Sequence, residues 1–191
     1  LVSLNARDAV QRGAVVLTRT RVTSATRMGD LWEVVTEGPN GTHTHTARAL
    51  VNAGGPWVED VIRNVVRINT AEGVRLVRGS HIVTRKLYDH DRCYFFQGTD
   101  GRIIFAIPYE QDFTLIGTTD QDHQGAPGEV ACTDGERDYL LDFASRYFAK
   151  SVTAEDVVWT YSGVRPLYND GAKSATAATR EYVLSLNEAG A

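Results

Sequence analysis

Apolar positions along the chain first repeat at helical spacing. Leu1, Val2, Leu4, Ala9 and Val10 outline a helix that stops at Gly13. The period then changes. Ala14 to Thr23 is rich in valine and threonine and predicts a strand; Leu31–Thr36 and Thr42–Leu50 predict two more, joined by Gly38-Pro39-Asn40-Gly41, whose Asn-Gly pair suits a hairpin turn. A three-stranded antiparallel meander results. Ala49 to Ala53 reads as a short apolar strand running into Gly54-Gly55-Pro56-Trp57. Pro56 stands where a first helical turn begins, and Trp57, Val58, Val61 and Ile62 fall on one face of the predicted helix.

From about Asn69 the pattern is richer in strands: Val74–Arg85 around Gly79, then Cys93–Gln97, Arg102–Ile107 and Phe113–Thr118. The last three pair most economically as antiparallel neighbours, with Asp100-Gly101 as one turn and Phe95, Phe96, Phe105, Tyr109 and Phe113 mostly in the core. Thr133 and Glu136 have capping-box spacing, ahead of a helix with Tyr139, Leu140, Phe143, Tyr147 and Phe148 as its buried stripe and its end near Lys150. Thr153 with Asp156 caps a turn before a strand over Val157–Val164; a polar loop, Asn169–Ala178, precedes a last strand, Glu181–Leu186. The fold class expected is α+β.

With 191 residues, 42% apolar and 23% charged, the chain suits one domain or two small ones and excludes disorder, collagen and a disulfide mini-scaffold. Twenty basic against twenty-four acidic side chains give a net charge of −4, which argues against a nucleic-acid groove. Cys93 and Cys132 follow no metal or CxxC spacing and suit a reducing, cytoplasmic setting. No apolar run is long enough for a transmembrane helix. The chain opens without methionine inside a helical pattern and stops just after a strand-like run; the expectation is an internal piece of a longer protein.

Three polar clusters interrupt the sheet pattern: Arg75 with Arg78-Gly79-Ser80-His81, then Gly117-Thr118-Thr119-Asp120, then Gly163-Val164-Arg165-Pro166-Leu167. The Arg165 guanidinium offers a two-pronged grip on phosphate or carboxylate, with Pro166 stiffening the chain behind it; a structural ion pair explains the same residue equally well. Arg180 can add a second positive charge. His81 suits proton removal from an alcohol, or a structural role. Thr118, Thr119 and Asp120 can bind a polyol or simply shape a turn. The Gly54-Gly55 turn allows close approach of a ligand to backbone, or merely links strand to helix. There is no GxGxxG, P-loop, GxSxG or HExxH, and no metal-ligand cluster.

Taken together, LNARDAVQRGA, LVNAGGPWV, GVRLVRGSHIV, FAIPYEQDFTLIGTTDQD, EDVVWTYSGVRPLYND and ATREYVLSL resemble the FAD-dependent, aerobic glycerol-3-phosphate dehydrogenase family, itself part of a flavoprotein group similar to D-amino-acid oxidase. These stretches span almost the whole chain in the family's order. The resemblance implies a partial FAD-binding domain over residues 1–68 (meander, short strand and helix), a mixed, mostly antiparallel substrate-binding domain over 69–165 with flanking helices, and, over 166–191, a return segment toward the FAD domain or the substrate domain's edge. The family's pyrophosphate-binding fingerprint would precede Leu1.

By the same resemblance Ala53, Gly54, Gly55 and Trp57 match the segment passing near FAD, although many relatives carry threonine at Gly54 or Gly55, and Val22 matches a position against the adenine end. His81 falls in the wall over the flavin ring. Arg165 matches an arginine assigned to the substrate phosphate, Arg180 is similar to another arginine of that pocket, and Thr119 and Asp120 would line it. The implied reaction oxidises sn-glycerol 3-phosphate to dihydroxyacetone phosphate, with Arg165 as anchor, His81 as base and electrons passing through FAD to quinone. Peripheral contact with the inner face of the cytoplasmic membrane is implied for the whole protein. An unpaired parallel-sheet edge in residues 1–68 would favour self-association, as a homodimer. A related FAD-dependent amine oxidase, or a domain that only binds substrate or supports structure, stands as the alternative.

Overall fold

In the computed structural model, which describes residues 1–69 and 73–184, the chain forms two units: Leu1–Gly54 with Val58–Asn69, and Gly55–Trp57 with the described residues from 73 onward. In the first unit, helix α1 (Val2–Gln11) ends before Gly13, whose φ of 94° suits glycine. Strands β1 (Arg21–Met28), β2 (Leu31–Gly38) and β3 (Gly41–Ala47) form the expected antiparallel meander. The first strand starts at Arg21, not Ala14, because Arg21 already pairs with Glu37 and β2 ends one residue later, leaving 14–20 no ladder to join. Gly41, with φ of 95°, closes the turn after Asn40.

The strand predicted over Ala49–Ala53 does not form. Among the described residues nothing pairs with it, and a lone strand leaves its backbone groups without ladder partners. Instead the Asn52 side chain accepts a hydrogen bond from Gly54 N (3.1 Å) and donates one to the Val58 carbonyl (2.9 Å). A tight turn over Gly55–Trp57 leads into α2 (Val58–Asp60), which widens to π spacing over Val61–Val66. The widening shifts the apolar face. Val61, Val65 and Val66, rather than Trp57, pack with Ala25 and Val34, and half of Trp57 stays exposed.

In the second unit β4 (Val74–Arg85) is the central strand, with the bounds its sequence predicts. On one side it pairs with β7 (Phe113–Gly117) and the short β8 (Gln121–Asp122); on the other it pairs along almost its whole length with β9 (Val157–Tyr168). Outward from β7 lie β6 (Ile103–Tyr109) and β5 (Tyr94–Gln97). Every pairing among the described residues is antiparallel. Strand β9 runs past the predicted end at Val164, carrying Arg165, Pro166 and Leu167 into the sheet.

Alternation along the strands sorts the two faces of this sheet. Ile82, Ile104, Ala106 and Ile116 face α3 (Asp134–Ser145) and pack with Leu140, Leu141, Phe143 and Ala144; each fully buried Ile or Leu contributes about 1.5–3 kcal/mol. Thr133 and Glu136 complete the capping box, but the helix stops at Ser145 and leaves Tyr147 about half exposed, stacked on Phe96. Phe95 and Phe105 lie on the opposite face, exposed and packed edge to face, so they are not core. Residues 181–184 are irregular, and the remainder of the strand predicted over Glu181–Leu186 lies outside the described residues.

Candidate functional site

On the sheet face opposite α3, strand register draws one row of residues across five strands: Phe95, Phe105, Gly117, His81 and Tyr161. Gly117 leaves the space that the His81 ring fills; a Cβ there would collide with the imidazole. On its other side the ring stacks on Tyr161, with centroids 4.8 Å apart and planes 4° from parallel. His81 Nδ1 is buried and has no hydrogen-bond partner. Burial first, and the Arg165 charge second, hold the imidazole below its ordinary pKa.

The neighbouring row holds Gly79 opposite Gly163, with Arg165 two residues along β9. The Arg165 guanidinium folds over Gly79, where a Cβ would collide with it, and donates from Nη2 to Thr118 Oγ1 at 3.3 Å. Its Nη1 lies 3.2 Å from Asp120 Oδ1, while Arg180 Nη2 donates to Asp120 Oδ2 at 2.8 Å. The two arginines therefore meet at one carboxylate, whose side chain is only 14% exposed. They line a cleft of about 360 Å³ with Arg102, Ile103, Phe105 and Thr118. Two guanidiniums against one carboxylate leave a net positive charge, and each keeps donors that Asp120 does not use, which suits an anion.

Thr119 departs from its expected place. It is buried, its hydroxyl accepts from Ser80 N (2.9 Å) and donates to Glu136 Oε1 (2.9 Å), so Thr118, not Thr119, presents a hydroxyl to the cleft. Asp120 is the counter-ion that orders the two arginines. Arg75 is tied to Asp122 by paired hydrogen bonds of 2.6 and 2.7 Å, and Arg78 to Glu136 at 2.9 Å.

Sequence reasoning missed two residues here. Glu136, read only as a helix cap, is 5% exposed and also accepts from Ser80 and Thr119; its carboxyl lies below the usual carboxylate range because the hydrogen bonds from Thr133, Ser80 and Thr119 outweigh burial, which alone would raise it. Tyr161, the platform under His81, carried no local signal beyond strand alternation. Cys93 and Cys132 are free thiols.

Of the residues expected near FAD, Val22 is half-buried and packs against the Ala25, Val34 and Val65 core of the first unit. Ala53 and Gly54 close the first stretch of that unit, and Gly55 and Trp57 belong to the second. Gly55 has φ of 55° and open space where a Cβ would stand, and Trp57 is 49% exposed. A glycine turn with nothing filling it fits a close backbone approach to a planar cofactor such as FAD.

Comparison with known proteins gives a consistent picture. Glycerol-3-phosphate dehydrogenase of Pseudomonas tolaasii is 45% identical over 188 residues, covering 98% of this chain and 37% of that protein. D-erythritol 1-phosphate dehydrogenase of Brucella abortus is 46% identical over 192 residues, covering 100% of this chain and 38% of that protein. The crystal structure of glycerol-3-phosphate dehydrogenase from Bacillus halodurans, complexed with FAD, matches with a TM-score of 0.75 at 34% identity, over 87% of this chain and 34% of that one. The chain thus spans little more than a third of these relatives. The family model described as FAD dependent oxidoreductase matches residues 1–186, nearly the full chain, and it is to this FAD-dependent oxidoreductase family that the chain belongs.

Proposed function

We propose that the chain forms part of a longer FAD-dependent dehydrogenase that oxidises the secondary alcohol of a phosphorylated polyol, sn-glycerol 3-phosphate, to dihydroxyacetone phosphate. The observation that carries the reading is the meeting of Arg165 and Arg180 at Asp120, in a cleft beside the His81 wall. Two of the relatives, named glycerol-3-phosphate dehydrogenase and D-erythritol 1-phosphate dehydrogenase, point to the same class: a polyol of three or four carbons with a terminal phosphate.

Arg165 anchors the phosphate through guanidinium donors left free by Asp120, and Arg180 supplies the second positive charge. Thr118, whose hydroxyl donates to the Thr119 carbonyl and accepts from Arg165 Nη2, helps to orient that guanidinium. Holding the charged end away from the reacting carbon uses its binding energy to orient that carbon. His81, kept neutral by burial and by Arg165, takes the proton of the alcohol being oxidised. FAD, when bound, supplies the acceptor for the two electrons and the hydrogen that leave the carbon. Ala53, Gly54, Gly55 and Trp57 would hold it, with Val22 toward its adenine end. Quinone would be the final acceptor, with the whole protein in the cytoplasm and in peripheral contact with the inner membrane face.

The test is a product assay on the FAD-loaded protein with sn-glycerol 3-phosphate, free glycerol and small amines. Dihydroxyacetone phosphate from the first substrate, with little turnover of free glycerol, is expected. Turnover of amines in preference to the phosphate would overturn the reading in favour of an amine oxidase.

A further inference from the structure

Among the described residues, three glycines lie within the strands of the second unit's sheet on the face that carries His81: Gly79, Gly117 and Gly163. Packing explains two of them. The His81 ring occupies the place of a Gly117 side chain, and the Arg165 guanidinium, with Thr118 Oγ1 at 2.6 Å, occupies that of Gly79. Gly163 is different. A Cβ there would meet nothing within 4 Å, and its backbone lies outside the left-handed region, so neither packing nor conformation calls for glycine. In the interior of a strand glycine costs stability relative to alanine, and a glycine kept there without a structural reason marks a close approach by something else.

Its position says what approaches. Gly163 is flanked at two residues on either side by Tyr161, the platform of His81, and by Arg165, and it pairs across the sheet with Gly79, over which the Arg165 guanidinium folds. Gly163 is exposed, and the open sheet face over it lies between Arg165, the group that grips an anion, and Tyr161, on which the His81 ring stacks. We infer that Gly163 is a specificity-determining position, its absent side chain making room for the carbon chain of the polyol phosphate held between Arg165 and His81. This rests on the function proposed above, and it predicts that the space at Gly163 sets how long a polyol the site admits.

The experiment uses the full-length FAD-loaded protein and its Gly163→Ala and Gly163→Val variants, with flavin content, melting temperature and steady-state kinetics on a three-carbon and a four-carbon polyol phosphate. Both variants should keep flavin and melt no lower than wild type, since the backbone accepts any residue and the space is open. Gly163→Val, which adds three carbons, should lose roughly tenfold or more in kcat/KM, since a single methyl-sized group confers about that discrimination in a pocket, with Gly163→Ala between it and wild type and a steeper loss for the longer substrate. Unchanged kinetics in both variants, or losses that only follow loss of flavin, would overturn the assignment while leaving the proposed function standing. A wild-type protein inactive on both phosphates would overturn the proposed function first.

Discussion

The His81 imidazole lies flat on the Tyr161 ring, 4.8 Å between centroids, with its Nδ1 buried and unpartnered. A proton taken up there would put charge in a half-buried slot beside the Arg165 guanidinium, which is why the pKa lies below the ordinary 6.5. The folded state thus binds fewer protons than the unfolded one, and stability falls as pH drops from 6.5 toward the lowered value. The rate has a sharper signature. kcat/KM should rise with pH through that lowered pKa and be flat at neutral pH, and an anion on Arg165 should move the acid limb of kcat to higher pH than that of kcat/KM. His81→Gln should remove the acid limb and cost about 10²–10⁴ in rate. A pH–rate profile that keeps its limb in the variant would exclude His81 as the base.

Arg165 and Arg180 share Asp120 but differ in setting, with side chains 35% and 48% exposed. Arg165→Ala should weaken turnover of the phosphorylated substrate by about 1.5–3 kcal/mol, the range for hydrogen bonds to a charged group, and leave flavin retention unchanged. Arg165→Lys should recover only part of this, because a point charge cannot reproduce the fork. Arg180→Ala should cost less. Because one carboxylate orders both guanidiniums, the double variant should be non-additive, and a double-mutant cycle in kcat/KM measures this directly. Additive losses would mean that the two arginines act independently.

What could be read in advance, and what could not, divides along the range of each signal. Gly41 after Asn40, the span Val74–Arg85 and the Thr133–Glu136 cap depend on neighbours a few residues away, and local spacing carries them. The short strand at Ala49–Ala53 depends on a ladder partner and failed for want of one among the described residues. The exchange of Thr118 for Thr119 in the cleft follows from which of two adjacent side chains faces α3, a one-residue question of register that composition cannot answer. Convergence of Arg165 and Arg180 on Asp120 joins residues 45 or more apart in sequence, so all three were visible as candidates while the role of Asp120 as counter-ion was not.

Glu136 ties the site to the helix behind it. Its carboxylate accepts from Ser80 and Thr119, whose chain neighbours are Gly79, His81, Thr118 and Asp120, and it pairs with Arg78. Glu136→Ala would leave these buried donors unanswered and should destabilise by about 3–5 kcal/mol. Because the folded carboxyl lies below its ordinary 4.5, its stabilisation is complete above that pH and is lost as pH falls through the lowered value. Urea midpoints from pH 3 to 7 check both statements: the wild-type curve should decline at the acid end and that of Glu136→Gln should decline less. Parallel curves would show that Glu136 is not the titrating group.

Gly117 offers the most direct test of how backbone serves chemistry in this sheet. Its Cβ would occupy the space of the His81 ring, which cannot retreat because Tyr161 stacks on its other side. Gly117→Ala must therefore push the imidazole aside or spread β7 from β4, an overpacking cost of about 1–3 kcal/mol. The gain in strand propensity from alanine is smaller, so the melting temperature should fall. Activity should fall further than stability alone explains, because His81, the proposed base, is displaced even in molecules that stay folded. Trimming the obstruction separates the two effects: in a His81→Ala background the added methyl group has space, and Gly117→Ala should become neutral or stabilising. Were the methyl group equally costly in both backgrounds, the glycine would be answering to something other than His81.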